Sequence, residues 1–162
     1  CPAASREVAP SAGVFQGCES MSSVFLIVNH EPVGQPRHRV GTINGKARLY
    51  LPSDHPVHAF KRAIRAAFAM RVKAKITGPI RIEVNTWFPR PKSKVWKTKP
   101  MPAYFHTSKP DSDNVLKAVL DALNGVAWID DAQISVETFR KYVCSGSDAP
   151  RAEITICDLD AE

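Results

Sequence analysis

The chain has 162 residues, a formal net charge of +6, and 44% hydrophobic against 23% charged residues. This length fits one domain that can bury a core without disulfide bonds, and the composition is ordinary for a soluble globular protein. No run approaches the roughly 20 apolar residues of a membrane-spanning helix, and the first twenty residues lack the basic and apolar regions of a secretory signal, so we expect a cytoplasmic location.

Charge is unevenly distributed along the chain. Residues 36–109 hold 17 Lys and Arg against two acids, a net charge of +15, whereas residues 110–162 hold four basic and 11 acidic residues, a net charge of −7. This division predicts a polyanion-binding surface beside a carboxylate-lined site, although a solvated basic face has the same composition. The four cysteines form no C-x-x-C pair and no zinc-binding array with the histidines, so we expect reduced thiols.

The first predicted elements are strands. Residues 1–20 are small, polar and aperiodic, which predicts a disordered tail, and strand-like sequence begins after Met21. The run SVFLIVN at 23–29 is short and continuously apolar, so it predicts a buried strand. The sequence NGK at 44–46 separates two strand-like runs and predicts a hairpin.

A basic amphipathic helix and a further strand come next. The helix is predicted within residues 53–75, with Ser53 or Asp54 as its N-cap and an apolar stripe that includes Phe60 and Ile64. Lysines and arginines occupy the rest of its surface and give it a basic outer face. Residues 78–88 then alternate apolar and polar side chains, which predicts a half-buried strand.

Residues 89–110 combine five prolines with a run of lysines and the aromatic residues Trp96, Tyr104 and Phe105. Sequence of this kind predicts a loop that its prolines keep out of the sheet. Basic residues interleaved with aromatics suit phosphate contacts and base stacking, but a linker whose aromatics simply pack has the same composition. The residues predicted to contact nucleic acid are Arg37, Arg39, Arg90, Lys92, Lys94, Trp96, Lys97 and Lys109.

The clearest helix is predicted over residues 113–124. Five apolar side chains at helical spacing form one face, Asp111 or Ser112 can cap its start, and Asn124-Gly125 can end it in a left-handed conformation. Two alternating runs follow, ISVETFRKYV and RAEITICD, which predict two strands paired with each other in antiparallel orientation.

Four aspartates surround this helix. Asp111 and Asp113 stand at its start, where the helix dipole favours negative charge, and Lys117 lies one turn beyond Asp113. The helix is about 18 Å long, and the seven residues after it span about 23 Å when extended. The chain can therefore return and bring Asp130 and Asp131 beside the first two aspartates. Carboxylates crowded in this way repel unless a cation lies between them, and hard oxygen ligands suit Mg²⁺ or Mn²⁺.

Structural roles compete with a metal site. An aspartate at a helix start is often only a cap, and Asp113 with Lys117 can form only a surface ion pair. The D-x-D-N opening also resembles an EF-hand loop, but Val115 and Leu116 occupy positions that need an oxygen ligand and a glycine. The spacing alone leaves a metal site and a structural role equally open.

The segment HTSKPDSDNVLKAVLDALNGVAWIDDAQI at 106–134 resembles the signature of the RusA family of Holliday junction resolvases, a D-x-D-N-x-x-K helix start followed by an aromatic-containing DD-x-Q segment. The flanking GQPRHRV, LYLP and PRPKS agree, and the resemblance extends roughly from Val24 to Ile156. It implies an α+β fold in which a small mixed or antiparallel sheet packs against two main helices, in a homodimer. We accordingly expect a disordered tail over 1–20 and a single nuclease domain over 21–162.

The resemblance also implies roles for individual residues. Asp111, Asp113 and Asp131 match the family's metal-binding and catalytic acids, with Mg²⁺ as the expected metal and Mn²⁺ as an alternative. Lys117 matches the catalytic lysine, and Asp130 matches the other aspartate of the pair and is expected to be a further metal ligand. Ser112 replaces the apolar residue usual between the first two aspartates, which leaves both carboxylates in place.

The implied activity is Mg²⁺-dependent resolution of four-way DNA junctions by paired symmetric nicks, in DNA recombination and repair within a bacterial or phage-infected cell. Two alternatives stay open at this point. One is a non-catalytic DNA-binding module whose aspartates only cap and solvate a helix. The other is a metal nuclease that acts on another branched or flap DNA. Metal dependence separates the first from a resolvase, and a panel of DNA structures separates the second.

Overall fold

Seven strands and two α-helices build the described part of the chain. The computed structural model describes residues 23–36, 39–43, 46–50, 52–72, 74–146 and 148–160. The predicted tail over 1–20 and Arg37 lie outside these residues. The elements are, in chain order, β1 (Ser23–Val28), β2 (Arg39–Ile43), β3 (Lys46–Tyr50), α1 (Val57–Ala69), β4 (Ile80–Phe88), β5 (Tyr104–Phe105), α2 (Ser112–Leu123), β6 (Ile134–Val143) and β7 (Arg151–Asp158), with 3-10 turns at Lys92–Lys94 and Asp131–Gln133.

Five of the strands form one mixed sheet in the order β1-β7-β4-β6-β5. β4 runs parallel to β6 and antiparallel to β7, and β1 and β5 form the two edges. The apolar faces of α1 and α2 share one core with β1, β4 and β7. The predicted α+β fold, with a small mixed sheet and two main helices, is confirmed.

The predicted apolar faces form this core. Phe60 and Ile64 of α1, Val119 of α2, and Ile82 and Val84 of β4 are all fully buried. Because β-strand side chains alternate between faces, the alternation read in residues 78–88 directs one set of side chains onto the helices. The hairpin prediction is also confirmed, since β2 and β3 pair antiparallel from Arg39–Tyr50 to Ile43–Lys46.

The predicted pairing of β6 with β7 is wrong, because β4 lies between them. Trp87 of β4 is only 8% exposed although it faces away from the helices, because side chains of both neighbouring strands cover it. Tyr142 of β6 stacks on Trp87 with ring centroids 5.2 Å apart, and the Arg151 guanidinium of β7 lies 4.2 Å from the Trp87 ring. The segment between β6 and β7 therefore crosses β4 instead of closing a hairpin.

The prediction of a fully buried first strand is also wrong. β1 is an edge strand in which Leu26 and Val28 are buried, whereas Phe25 and Ile27 are 41% and 45% exposed. Both helices lie on the other face of the sheet, so the continuous apolar run gives one buried and one exposed apolar face.

The start of α1 differs from the prediction. The N-cap residue is Pro56, without a side-chain capping bond, so neither Ser53 nor Asp54 caps the helix. The backbone N–H of Val57 instead donates to Nδ1 of His55 at 3.2 Å. A proline at this position already has a helical φ, here −60°, which explains why the helix begins there.

Part of the Pro-rich loop does join the sheet. Tyr104 and Phe105 form β5 and pair antiparallel with Val143 and Tyr142 of β6. No proline falls between Pro102 and Pro110, so the backbone donors that β5 needs are present there. The prediction that prolines keep the loop out of the sheet is therefore wrong for these two residues.

The two cysteines within the described residues differ. Cys144, just after β6, is a buried free thiol, and burial is the main cause that raises its pKa. Cys157 in β7 is disulfide-bonded. The expectation of reduced thiols is thus right for Cys144 and wrong for Cys157.

Candidate active site

Three charged side chains are exposed at the start of α2. Asp111 is the N-cap residue with an extended backbone (φ −68°, ψ 148°), Asp113 lies in the first turn, and Lys117 lies one turn further along. The buried residues of α2 fix the opposite side of the helix in the core, including Val115 and Val119. Because residues four apart lie on one side of a helix, Asp113 and Lys117 face the same region of solvent.

None of these three side chains is engaged by another described residue. The Asp111 carboxylate makes no capping hydrogen bond. The surface ion pair between Asp113 and Lys117 is not among the ion pairs of the described residues, which join Lys61–Asp121, Arg140–Glu83, Arg151–Asp148 and Arg151–Glu153. Neither structural role considered for these aspartates, a cap or an ion pair, is therefore seen.

The turn after α2 positions Asp131. The helix ends as predicted, with Gly125 at φ 72°. Trp128 follows, fully buried, and its backbone forms bridges with Asn124 and Ile76. The indole Nε1–H of Trp128 donates to Oδ1 of Asp131 at 2.8 Å. A buried indole thus holds one carboxylate oxygen of Asp131 in a set direction.

Asp130 has a structural role in the same turn. Its Oδ1 accepts from the Ala132 N–H at 2.8 Å, and Gln133 Oε1 accepts from the Asp130 N–H at 3.1 Å, which makes a capping box. Gln133 also donates to the carbonyls of Ile76 and Gly78, at 3.1 and 2.9 Å. The DD-x-Q segment is therefore a turn held by hydrogen bonds, in which Asp130 is the N-cap residue.

No group of three His, Cys, Asp or Glu side chains within the described ranges lies where it could hold a metal ion together. The predicted crowding of Asp130 and Asp131 with Asp111 and Asp113 is therefore not seen, and each of the later two aspartates commits one oxygen to its own turn. The donor chemistry of Asp111 and Asp113 still fits Mg²⁺, which usually takes one or two carboxylates and completes its shell with water and substrate phosphate oxygens.

A short segment missed from the sequence packs against the start of α2. The Gln35 N–H donates to the Asn114 carbonyl at 2.8 Å. A Cβ on Gly34 would lie 3.1 Å from Pro110 Cβ and 3.3 Å from Asn114 Cβ, closer than neighbours normally approach. Gly34 thus allows the segment to approach the residues around Asp111. The sequence signals were the Gly-Gln-Pro run, which also fits an ordinary turn, and the agreement of GQPRHRV with a flank of the family; neither predicted this contact.

Arg90, predicted to contact nucleic acid, is used inside the loop. Its guanidinium donates to the backbone carbonyls of Cys144, Met101 and Pro102. It also lies 5.2 Å from the centre of the Tyr104 ring. With its donors turned to these carbonyls, Arg90 fastens the loop to the end of β6.

The other predicted contacts of this loop remain available at the surface. Lys92, Lys97 and Lys109 are exposed, and Trp96 is 45% exposed. Lys94 is exposed and its ammonium lies 4.9 Å from the Tyr104 ring centre. Arg37 lies outside the described residues, and of Arg39 only the backbone in β2 is described.

The basic face of α1 is partly used for helix packing. The Lys61 ammonium lies 2.9 Å from a carboxylate oxygen of Asp121, and its side chain is only 15% exposed. Arg65 Nε donates to the Ala122 carbonyl at 2.9 Å. These two cations therefore hold α1 against the C-terminal half of α2, and Arg62 is left exposed.

Comparisons with known proteins show the family of this chain. A sequence model of the family described as "Endodeoxyribonuclease RusA" matches residues 29–157. The chain is 34% identical over 147 residues to "Uncharacterized protein YqaN" of Bacillus subtilis (strain 168), an alignment that covers 87% of this chain and all of that protein. No helix within the described ranges is long and apolar enough to cross a membrane.

Proposed function

Because this chain belongs to the RusA endodeoxyribonuclease family, we propose that it resolves four-way DNA junctions by metal-dependent hydrolysis. Each reaction would break a phosphodiester bond and leave 5′-phosphate and 3′-hydroxyl ends, as the family implies. A DNA substrate would place this work in the cytoplasm of a bacterial or phage-infected cell, in recombination and repair.

One observation carries the proposal: two carboxylates and an ammonium group stand unengaged at one helix start. Several half-buried charges elsewhere are paired, as in Lys61 with Asp121 and Arg151 with Glu153. The two carboxylates repel each other, and the positive end of the helix dipole offsets this repulsion only in part. A cation bound by Asp111 and Asp113 would remove this repulsion and attract an anionic substrate.

We assign Asp111 and Asp113 as the residues that hold the metal. Asp131 is the third proposed acid, because only one of its oxygens is committed, to Trp128. Asp130 would support the site indirectly, as the N-cap residue of the turn that contains Asp131. When bound, Mg²⁺, with Mn²⁺ as an alternative, supplies polarisation of the scissile phosphate and a water of lowered pKa.

Lys117 would act on charge that develops at the scissile phosphate. It lies one helical turn from Asp113 on the same side, and no acid among the described residues neutralises it. A positioned ammonium group stabilises the charge on the non-bridging and leaving oxygens more strongly in the transition state than in the ground state. Lys117 is therefore proposed as the catalytic lysine.

Binding would come from the lysines of residues 89–110. These lysines are exposed, and Lys109 directly precedes the start of α2, which suits contacts with phosphates near the cut; Trp96 offers a face for stacking on an unpaired base. Arg90 would support this surface from within. A four-way junction has two symmetric cut sites, so a two-fold homodimer with one site per subunit is the simplest assembly.

The test is incubation of the protein with a labelled mobile four-way junction and Mg²⁺, beside a linear duplex of the same sequence. We expect paired nicks in the junction, none in the duplex, and no reaction in EDTA. Binding without cleavage at any Mg²⁺ or Mn²⁺ concentration would favour the non-catalytic module. Faster cleavage of flaps or other branched DNA would redirect the substrate assignment.

A further inference from the structure

Lys141 of β6 makes two hydrogen bonds that the proposed reaction does not yet use. Its ammonium donates to the carbonyl of Ser108 at 2.9 Å and to the carbonyl of Pro110 at 2.7 Å. These carbonyls belong to the short segment that leads directly into Asp111, so the cation lies under the chain that delivers the first carboxylate of the site.

The register of the sheet explains why a lysine reaches this place. Lys141 pairs with Thr86 of β4, whose neighbour two residues on, Phe88, stacks on the ring of His106 with centroids 4.6 Å apart. The backbone of Lys141 is also bonded to the loop, since the His106 N–H donates to the Lys141 carbonyl at 3.0 Å. Lys141 therefore joins β6, the end of the loop and the start of α2.

The surroundings leave Lys141 as the cation beneath this turn. Burial, and secondarily the charge of Lys141, lower the pKa of His106, so its imidazole is neutral near pH 7. The Nδ1 atom of His106 is buried and has no hydrogen-bond partner. Because the His106 imidazole is neutral, the Lys141 ammonium group is the charged donor to the carbonyls of Ser108 and Pro110.

The segment is confined from the other side too. Gly34 packs closely against Pro110 and Asn114, since a Cβ at this position would lie 3.1 and 3.3 Å from their Cβ atoms. The first intrahelical bond of α2 runs from the Val115 N–H to the Asp111 carbonyl at 3.2 Å, so the place of Asp111 and the start of the helix are set together.

We propose that Lys141 is a positioning residue of this active site, which holds Ser108–Pro110 so that the Asp111 carboxylate stands at a fixed place beside Asp113. The proposal rests on the proposed nuclease function for its catalytic consequence, but the ordering of the α2 start does not. Carboxylate placement governs rate steeply, because a displacement of about 1 Å in a catalytic group costs on the order of a hundredfold.

The test compares Lys141→Met with Lys61→Met. Both variants remove one partly buried lysine that is bonded near α2, but Lys61 serves the C-terminal half of the helix through Asp121. The readouts are amide hydrogen exchange at Val115 and at Asn124, whose N–H donates to Leu120 at 2.8 Å, and kcat and KM for junction cleavage. Lys141→Arg, which keeps charged donors, serves as the conservative variant.

For Lys141→Met we expect exchange at Val115 to be at least about fivefold faster with Asn124 unchanged, kcat at least about tenfold lower with KM within about twofold, and partial recovery of both in Lys141→Arg. Lys61→Met should leave Val115 exchange and kcat unchanged. Equal effects of the two Met variants, or unchanged Val115 exchange in Lys141→Met, would overturn the proposal.

If Lys141→Met does not fold, Lys141→Gln replaces it with the same expected result and the same overturning result. Failure of the wild-type protein to cut a junction would instead refute the proposed junction resolution, and Val115 exchange would still decide the role of Lys141.

Discussion

Arg90 and Lys97 lie in the same loop, but removal of the charge from each side chain should affect different properties of the protein. The Arg90 guanidinium is bonded to three backbone carbonyls, whereas Lys97 is exposed and makes no hydrogen bond with another described residue. Arg90→Met and Lys97→Met each remove one positive charge from the protein. We expect the first to lower stability and the second to weaken binding to DNA.

The size of the Arg90 effect follows from its contacts. A hydrogen bond to a charged group contributes about 1.5–3 kcal/mol, and those at the solvent-facing side of the loop contribute less. We therefore expect Arg90→Met to lower the free energy of unfolding by about 2–3 kcal/mol, which corresponds to a fall in Tm of about 4–12 °C for a chain of this size. Lys97→Met should stay within about 0.5 kcal/mol of wild type, as is usual for surface changes.

Thermal melting and the salt dependence of junction binding measure the two effects. With five exposed loop lysines in each subunit, at positions 92, 94, 97, 99 and 109, we expect roughly five or more phosphate contacts per dimer and a log-log slope of about −4.5 or steeper. Lys97→Met should reduce that slope by up to about 1.8 per dimer, and Arg90→Met should leave it unchanged. A flatter slope in Arg90→Met without a change in Tm would instead show that Arg90 contacts DNA and does not stabilise the loop. A nearly flat wild-type response would mean that this loop is not the DNA-contacting surface.

Three further changes test the loop, the site and the core. Lys117→Ala should cut junctions poorly yet melt like wild type, because its side chain is exposed; a large fall in Tm would assign it a structural role instead. Trp96→Ala should weaken junction binding by about 1–3 kcal/mol and change duplex binding little, as measured by titration of both DNAs; equal losses would indicate backbone contact only. His106→Phe should reduce the loss of stability on acidification, measured as the urea midpoint from pH 7.5 to 5.5. Burial lowers the pKa of His106, so below about pH 6.5 the unfolded chain binds a proton that the folded chain does not bind, and the free energy of unfolding decreases as the pH is lowered. An unchanged pH dependence in the variant would contradict this.

Local patterns predicted the helices well because their information is local. The apolar stripes of both helices are the faces that enter the core, and the unusual D-x-D-N-x-x-K motif lies at the start of α2, where it was predicted. Strand partners were harder to predict, since alternation sets the face of a strand but not its neighbour. The antiparallel pairing of β6 with β7 failed for this reason, because β4 contributes Trp87 to a stack that needs both neighbours.

Charged residues were the second limit of prediction. A lysine or arginine has the same sequence signature whether its head group meets solvent or a backbone carbonyl. Arg90 and Lys61 were therefore read as parts of a basic face, although their donors serve carbonyls and a carboxylate inside the fold. Lys141 was missed because in an alternating strand it resembles an outward-facing residue, and the carbonyls that it binds come from 31 and 33 residues earlier in the chain.

In the proposed function, the unengaged carboxylates at the start of α2 perform chemistry and do not serve binding or stability. The most direct measurement compares Asp113→Asn with wild type for cleavage of a four-way junction in Mg²⁺ and for junction binding without it. Asp113 is exposed and unpaired with other described residues, so the amide should fold and bind DNA as well as wild type, while cleavage is abolished through loss of a ligand charge. Cleavage by Asp113→Asn at the wild-type rate in the same Mg²⁺ would contradict the account.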